Sequence, residues 1–105
     1  MSIPEISIDK LKQRIDCKDK VVILDVRNPD ELTYGKILGY KQIPLPELEK
    51  RYIELNKKDE HVVYCRTGGR SSKACEFLIQ KGYKAANLKG GILAWKKHDP
   101  SVVEY

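Results

Sequence analysis

The stretch from His61 to Gly82 constrains the fold more than any other part of the chain. His61–Tyr64 is a short run rich in β-branched and aromatic residues, bounded by polar and glycine-rich sequence, which is typical of a buried strand. Ser71–Ser72 offers N-cap residues before Lys73–Lys81, which has helical spacing and is followed by a glycine. The sequence therefore predicts a strand, a tight loop and a helix capped at the two serines.

Cys65 lies where this strand meets this loop. The following segment, Arg66–Arg70, contains the adjacent glycines Gly68 and Gly69, so its backbone can curl tightly and turn its N–H groups inward. Backbone donors, a helix N-terminus and nearby cations all favour a thiolate, and such surroundings lower the pKa of a cysteine from about 8.5 to roughly 3.5–7.5. The thiolate is the nucleophilic form, so we predict that Cys65 is a reactive nucleophile rather than a small packing residue.

The six residues after Cys65 are the candidates for binding an anionic substrate. They are Arg66, Thr67, Gly68, Gly69, Arg70 and Ser71. Thr67 could equally serve as a turn hydroxyl. Arg70 could pair with a surface carboxylate, although its position at the end of the loop favours anion binding or bracing of the loop.

Composition and charge limit the function classes. A chain of 105 residues with 41% hydrophobic and 33% charged residues is expected to form a single globular domain over residues 1–105. The net charge of +5 suits anionic substrates or acidic partner surfaces. No basic stripe interleaved with aromatic residues indicates nucleic-acid binding, and no apolar run reaches the length of a membrane span. The N-terminus lacks the pattern of a signal peptide, so a cytoplasmic protein is expected.

The cysteine spacing does not suggest a metal site. Cys17, Cys65 and Cys75 form no metal-type pair, and reduced thiols are expected in the absence of a secretory signal. No metal and no cofactor are expected. Cys75 falls near the apolar face of the helix and is predicted to pack in the core rather than act as a resolving thiol. Cys17 lies in a charged turn and is predicted to be exposed.

Strands alternate with helices along the rest of the chain. Strands are predicted at Val21–Leu24, Gly39–Ile43 and Tyr83–Leu88, and helices at Leu45–Asn56 and Ile92–Lys97, with a first helix ending at Ile15 and a short one beginning at Asn28–Pro29. Parallel neighbours need crossover connections, so this alternation predicts an α/β fold with a parallel sheet and helices on both faces. Gly90–Gly91 is interpreted as a simple turn from strand to helix, and Trp95 as a core residue.

Ligands of such sheets bind at the carboxyl ends of the strands. Asp25 and Arg27 follow one strand, and Cys65 follows another. We therefore expect these residues to share one edge of the sheet. Asp25 and Arg27 are assigned to bracing the Cys65 loop by hydrogen bonds, and a plain salt bridge elsewhere is the alternative.

Four segments in this order resemble the single-domain rhodaneses, a family of sulfurtransferases. They are Leu24–Arg27 with Pro29–Glu31, Ile43–Leu45, Val62–Ser71 and Asn87–Trp95. The resemblance implies a rhodanese-like fold with a five-stranded parallel sheet, and a persulfide carried by Cys65 between two half-reactions. It also implies a small anionic sulfur donor such as thiosulfate, which Arg66 and Arg70 would attract.

Two further segments bear on this resemblance. Asp99–Tyr105 is similar to the tail of rhodanese domains fused to adenylyltransferases that activate ubiquitin-like sulfur carriers, which implies a cysteine desulfurase or such a carrier as a protein partner. Whether the chain is freestanding or one domain of a larger protein stays open. Lys36–Tyr40 departs from the sequence His-Ile-Pro-Gly-Ala that is common in the family, and we expect different local packing there without loss of activity.

Two other functions stay open. Phosphatases and arsenate reductases of the same fold have a longer loop between cysteine and arginine than the four residues Arg66–Gly69 found here, so this cradle suits one sulfur atom better than a tetrahedral oxyanion. A non-catalytic binding or sulfur-relay module, whose thiol receives sulfur only from a partner protein, would have the same cysteine chemistry.

Overall fold

The computed structural model describes residues 3–37 and 39–105, and these contain five strands. The strands are β1 (Glu5–Ile6), β2 (Val22–Asp25), β3 (Tyr40–Gln42), β4 (Glu60–Tyr64) and β5 (Lys84–Leu88). They form one sheet in the order β1-β5-β4-β2-β3, and every neighbouring pair is parallel. The predicted five-stranded parallel sheet is confirmed.

Helices cover both faces of the sheet, as predicted. They are α1 (Ile8–Asp16), α2 (Leu45–Arg51), α3 (Gly69–Gln80) and α4 (Gly91–Trp95), with 3-10 helices at Pro29–Tyr34 and Tyr52–Glu54. One core lies between the sheet and α2 and α3, and its members include Leu48, Val63, Cys65, Cys75 and Leu78. The other core lies against α1 and α4, and its members include Leu11, Val62, Tyr64, Ile92 and Trp95. The core positions predicted for Cys75 and Trp95 are confirmed.

Helix α3 begins earlier than predicted. It starts at Gly69, and its N-cap residue is Gly68, whose φ of 120° favours glycine. Ser71 therefore lies in the first turn, where its hydroxyl is buried and bonded within the site rather than capping the helix. The predicted cap at Ser71–Ser72 is wrong because a glycine with positive φ replaces a side-chain cap.

Helix α2 is shorter than predicted. It ends at Arg51 instead of continuing to Asn56, and a 3-10 turn follows it. The hydroxyl of Tyr83 donates to the carbonyls of Tyr52 and Leu55 at 3.1 and 3.2 Å, and Leu55 is extended and buried. A long-range hydrogen bond therefore satisfies backbone groups that the sequence pattern assigned to the helix.

Met1, Ser2 and Leu38 lie outside the described residues. The interpretations of the extreme N-terminus and of Lys36–Tyr40 therefore fall partly outside the structure. Within residues 3–37 and 39–105, no helix has the length and apolar character needed to cross a bilayer.

A fully buried ion pair fixes the segment after β2. The side chains of Asp25 and Arg27 are both 0% exposed, and Arg27 Nη2 lies 2.7 Å from Asp25 Oδ2. The Arg27 guanidinium also donates to the carbonyls of Gly35 at 2.7 Å and Glu31 at 3.3 Å. These hydrogen bonds hold the 3-10 helix Pro29–Tyr34 against the carboxyl edge of the sheet.

Arg27→Met is expected to lower the free energy of unfolding by about 3–5 kcal/mol, because it leaves the Asp25 carboxylate buried without a partner. The exposed pair of Lys12 and Asp16, with its 2.6 Å contact within α1, provides the control. Lys12→Met is expected to change the same quantity by less than about 0.5 kcal/mol. Urea denaturation measures both, and equal losses would contradict the assignment.

Candidate active site

Cys65 directly follows β4 at the carboxyl edge of the sheet and is 1% exposed. Its Sγ accepts hydrogen bonds from the backbone N–H groups of Gly68 at 3.1 Å and Ser71 at 3.4 Å. The hydroxyl of Ser71 lies 3.3 Å from the same sulfur. The loop therefore encloses the sulfur with donors from the N-terminus of α3, which also carries the positive end of the helix dipole.

Burial and hydrogen bonding act on the Cys65 thiol in opposite directions. Burial raises its pKa, but hydrogen bonds from the Ser71 side chain and from the backbone of Ser71, Gly68 and Thr67 lower it, and the net pKa lies below the ordinary value. In the described part of the chain, residues 3–37 and 39–105, no hydrogen-bond donor to Cys75 is found, and burial raises its pKa to about 12. Cys65 is therefore the activated one of these two buried thiols, whereas Cys17 is exposed as predicted.

Asn87, which was not among the site residues predicted from the sequence, braces the loop from the adjacent strand. Its Nδ2 donates to the Gly68 carbonyl at 3.2 Å, and its Oδ1 accepts from the Ser71 hydroxyl at 2.5 Å. Asn87 is opposite Val63 in the register between β5 and β4, so it lies at the same edge as Cys65. A polar residue near the carboxyl end of a buried strand was the available signal.

Gly91 is more than the simple turn residue that the sequence suggested. The N–H groups of Ile92 and Leu93, in the first turn of α4, donate to the carbonyls of Cys65 and Arg66 at 2.9 and 3.2 Å. A Cβ on Gly91 would lie 2.5 Å from the Arg66 oxygen and 2.6 Å from the Cys65 oxygen, and its φ is 61°. Only glycine allows α4 to approach the loop this closely.

Arg70 braces the loop through a carboxylate. Its guanidinium forms two hydrogen bonds with Glu31, at 2.5 and 2.8 Å, and this interaction lowers the pKa of Glu31 to about 2. Of the alternatives left open for Arg70, pairing with a carboxylate and bracing are therefore the ones observed. Its charge is neutralised by Glu31, so Arg70 is a poorer attractant for an anion than the sequence suggested.

Asp25 and Arg27 support the loop only indirectly. Their hydrogen bonds reach Glu31, Gly35, Gln42 and Tyr105, and none of those described involves residues 66–71. Of the two roles left open for this pair, the salt bridge is the one observed, and the 3-10 helix Pro29–Tyr34 connects it to the loop. Glu31 of that helix makes the connection, since it binds Arg70 on its other side.

Arg66, Thr67 and Gly69 are the exposed residues of the loop. The Arg66 guanidinium lies over the ring of Tyr105, 5.1 Å from its centroid. Among residues 3–37 and 39–105, no acidic side chain is within salt-bridge distance of Arg66, and no group of three potential metal ligands is present. A cavity of about 520 Å³ lies at the opposite end of β4 and β5, where its lining includes Glu60, His61 and Lys84.

The comparisons agree with this geometry. The Rhodanese-like domain family matches residues 7–98, which include all of the elements that surround Cys65. The chain belongs to the rhodanese-like family. A solved structure of a rhodanese-related protein from Thermoplasma volcanium superposes with a TM-score of 0.84 at 33% identity, covering 91% of this chain and 93% of that chain.

Curated relatives of this rhodanese-like chain include enzymes and a putative carrier. A sulfurtransferase of Allochromatium vinosum is 38% identical over 102 residues, which cover 96% of this chain and 95% of that protein. The putative sulfur carrier protein YrkF of Bacillus subtilis is 41% identical over 95 residues, but these span only 51% of its length and 90% of this chain. The family of sulfurtransferases is thereby established for this chain.

Ser71→Ala is expected to raise the pKa of Cys65, because it removes a hydrogen bond that stabilises the thiolate. In a Cys17→Ser background, the rate of alkylation by iodoacetamide should rise with pH through the Cys65 pKa, and the midpoint should move to higher pH in Ser71→Ala. Ser72→Ala is the control, since no hydrogen bond described joins its hydroxyl to the sulfur. Coincident midpoints in Ser71→Ala and Ser72→Ala would contradict this role.

Gly91→Ala is expected to destabilise the protein by about 2 kcal/mol or more, because it combines overpacking against the loop carbonyls with a positive φ. Gly69→Ala is the matched control. A Cβ there meets nothing within 4 Å, and the residue is not among the glycines with positive φ. Thermal unfolding should show the large shift only for Gly91→Ala, and a shift of equal size in both variants would refute the close-approach argument.

Proposed function

We propose that this protein transfers sulfane sulfur through a persulfide on Cys65. The observation that supports the proposal is the set of N–H and hydroxyl donors from Gly68 and Ser71 that converge on a buried Sγ. Such donors stabilise a thiolate, which is the attacking form. The similarity to a sulfurtransferase supports sulfur transfer as the chemistry of this thiolate.

The proposed reaction has two half-reactions. The Cys65 thiolate attacks the outer sulfur of an anionic donor such as thiosulfate, an S–S bond forms on the enzyme, and the S–S bond of the donor breaks to release sulfite with the bonding electron pair. A nucleophilic acceptor, such as a thiolate, then attacks the outer sulfur of the persulfide. This second step returns the Cys65 thiolate and leaves the sulfur on the acceptor.

The first turn of α3 is suited to the charge that the persulfide would carry. The N–H groups of Gly69 and Arg70 lie in this turn, where an α-helix offers no internal acceptor. They remain available to an outer sulfur atom while Gly68 and Ser71 hold the inner one. Preorganised backbone donors of this kind stabilise negative charge without reorganising during the reaction.

Arg66 is the cation that we assign to attracting the donor. It is exposed, and within the described parts of the chain no carboxylate neutralises it, in contrast to Arg70. A small anionic donor would approach the mouth of the loop beside its guanidinium. Arg70 instead keeps the loop in shape through Glu31.

A sulfur-relay role is the second candidate. It is favoured by the similarity to a putative sulfur carrier protein and to the probable adenylyltransferase/sulfurtransferase MoeZ of Mycobacterium tuberculosis, of which the match covers 26%. In this role Cys65 would receive its sulfur from a protein donor such as a cysteine desulfurase and pass it to a protein acceptor such as a ubiquitin-like sulfur carrier. A phosphatase is disfavoured by the short loop of four residues, Arg66–Gly69.

After incubation with thiosulfate, intact mass spectrometry is expected to show a gain of one sulfur atom that reducing agent removes. Cys65→Ser should abolish both this gain and the turnover of thiosulfate to sulfite, because the nucleophile is lost. Cys17→Ser is the control and should retain both.

The identity of the molecule that supplies the sulfur distinguishes the sulfurtransferase from the sulfur-relay protein. Sulfur gain from thiosulfate supports the enzyme, whereas gain only from a cysteine desulfurase with cysteine supports the relay. Sulfur gain that persists in Cys65→Ser, or rapid hydrolysis of a phosphate ester by the wild type, would overturn the proposal.

A further inference from the structure

The C-terminal tail reaches the mouth of the Cys65 loop and is pinned there by backbone and core contacts. Val102 is 1% exposed, and its atoms lie 3.0–3.2 Å from the position that a Cβ on Gly35 would occupy. The N–H of Val103 donates to the Tyr34 carbonyl at 2.7 Å. The tail therefore follows the 3-10 helix Pro29–Tyr34 and delivers Tyr105 to the site.

Tyr105 contacts three separate parts of the site. Its hydroxyl donates to Glu31 Oε2 at 2.7 Å and accepts from Arg27 Nη1 at 3.2 Å. Its ring stacks on Tyr34 with a centroid separation of 4.4 Å and an angle of 10° between the planes. The Arg66 guanidinium lies over the same ring, 5.1 Å from the centroid.

Two side chains contact the ring of Tyr105. Tyr34 lies nearly parallel to it with the centroids 4.4 Å apart, and the guanidinium of Arg66 lies over it. Attraction between a cation and an aromatic face contributes about 0.5–1 kcal/mol at exposed sites. Stacking on Tyr34 and the backbone hydrogen bond of Val103 keep the ring in place, and the ring in turn restrains Arg66.

We propose that Tyr105 is a positioning residue that holds the Arg66 charge at the mouth of the Cys65 loop and thereby sets the preference of Cys65 for anionic reagents. Because Glu31 neutralises Arg70, Arg66 is the loop cation whose charge an incoming anion meets. Without the ring, its flexible side chain spreads over many rotamers, and the local attraction weakens. The inference deepens the proposed sulfur transfer, and it rests on that function only for the identity of the donor.

The test compares alkylation of Cys65 by iodoacetate, an anion, with alkylation by iodoacetamide, its neutral analogue, in a Cys17→Ser background. The ratio of the two rate constants reports attraction of an anion at the mouth of the loop. Tyr105→Leu is expected to lower this ratio about two- to fivefold, the factor that corresponds to the loss of about 0.5–1 kcal/mol. The iodoacetamide rate is expected to stay constant, which shows that the loop and the Cys65 pKa are intact.

Two further variants identify the group responsible. Tyr105→Phe removes the hydroxyl but keeps the ring, so it should retain the wild-type ratio. Arg66→Gln should lower the ratio, and adding Tyr105→Leu to Arg66→Gln should lower it no further, because the two residues act through one interaction. If the iodoacetamide rate of Tyr105→Leu changes, that variant is set aside and the rate ratios of Tyr105→Phe and Arg66→Gln are compared instead. A wild-type ratio in Tyr105→Phe beside a lowered ratio in Arg66→Gln then supports the inference.

Three outcomes would overturn the inference: an unchanged ratio in Tyr105→Leu, a ratio in Tyr105→Phe as low as that in Arg66→Gln, or a further loss when Tyr105→Leu is added to Arg66→Gln.

In the sulfurtransferase assay, KM for thiosulfate should rise in Tyr105→Leu with kcat nearly unchanged. If the wild-type protein accepts no sulfur from thiosulfate but shows the expected alkylation ratios, thiosulfate is not the donor. The role of Tyr105 would still stand.

Discussion

The structure depends on the stabilisation of one sulfur atom in a nearly solvent-free position. Cys65 is 1% exposed, so a negative charge on its sulfur has little access to water and requires donors from the protein. Most of these donors are backbone N–H groups, which deliver the same chemistry whatever side chain they carry. The conformation of residues 65–71 is therefore what creates the site.

Three neighbouring parts of the fold help to keep that conformation. Asn87 fixes Gly68 and Ser71 from β5, α4 binds the loop carbonyls from the opposite side, and Glu31 holds Arg70 from the segment that follows β2. The buried pair of Asp25 and Arg27 anchors that segment in turn. The parallel order of β2, β4 and β5 makes this possible, because it brings the carboxyl ends of all three strands to one edge.

The sequence was most informative where chemistry and local pattern coincide. A strand followed by cysteine, glycines and a helix predicted the tight loop around Cys65, and the alternation of strands and helices predicted the sheet. Contacts between distant residues were not predictable. Asn87, Gly91 and Tyr105 meet the loop only after folding, and the true start of α3 depends on a positive φ at Gly68 instead of on the serines that resemble a cap. The pairing of Arg70 with Glu31 spans 39 positions, and the sequence suggested only pairing with some surface carboxylate as one alternative.

The Ser71 hydroxyl has a single proton but two acceptors, Cys65 Sγ at 3.3 Å and Asn87 Oδ1 at 2.5 Å. It cannot serve both at full strength, so the charge on the sulfur decides which one it faces. Rotation about one C–O bond is then sufficient to adapt the pocket to a change of charge, while the main chain stays still. The Ser71 hydroxyl can therefore reorient, and the loop of residues 65–71 can accommodate more than one charge state of the sulfur with the same main-chain conformation.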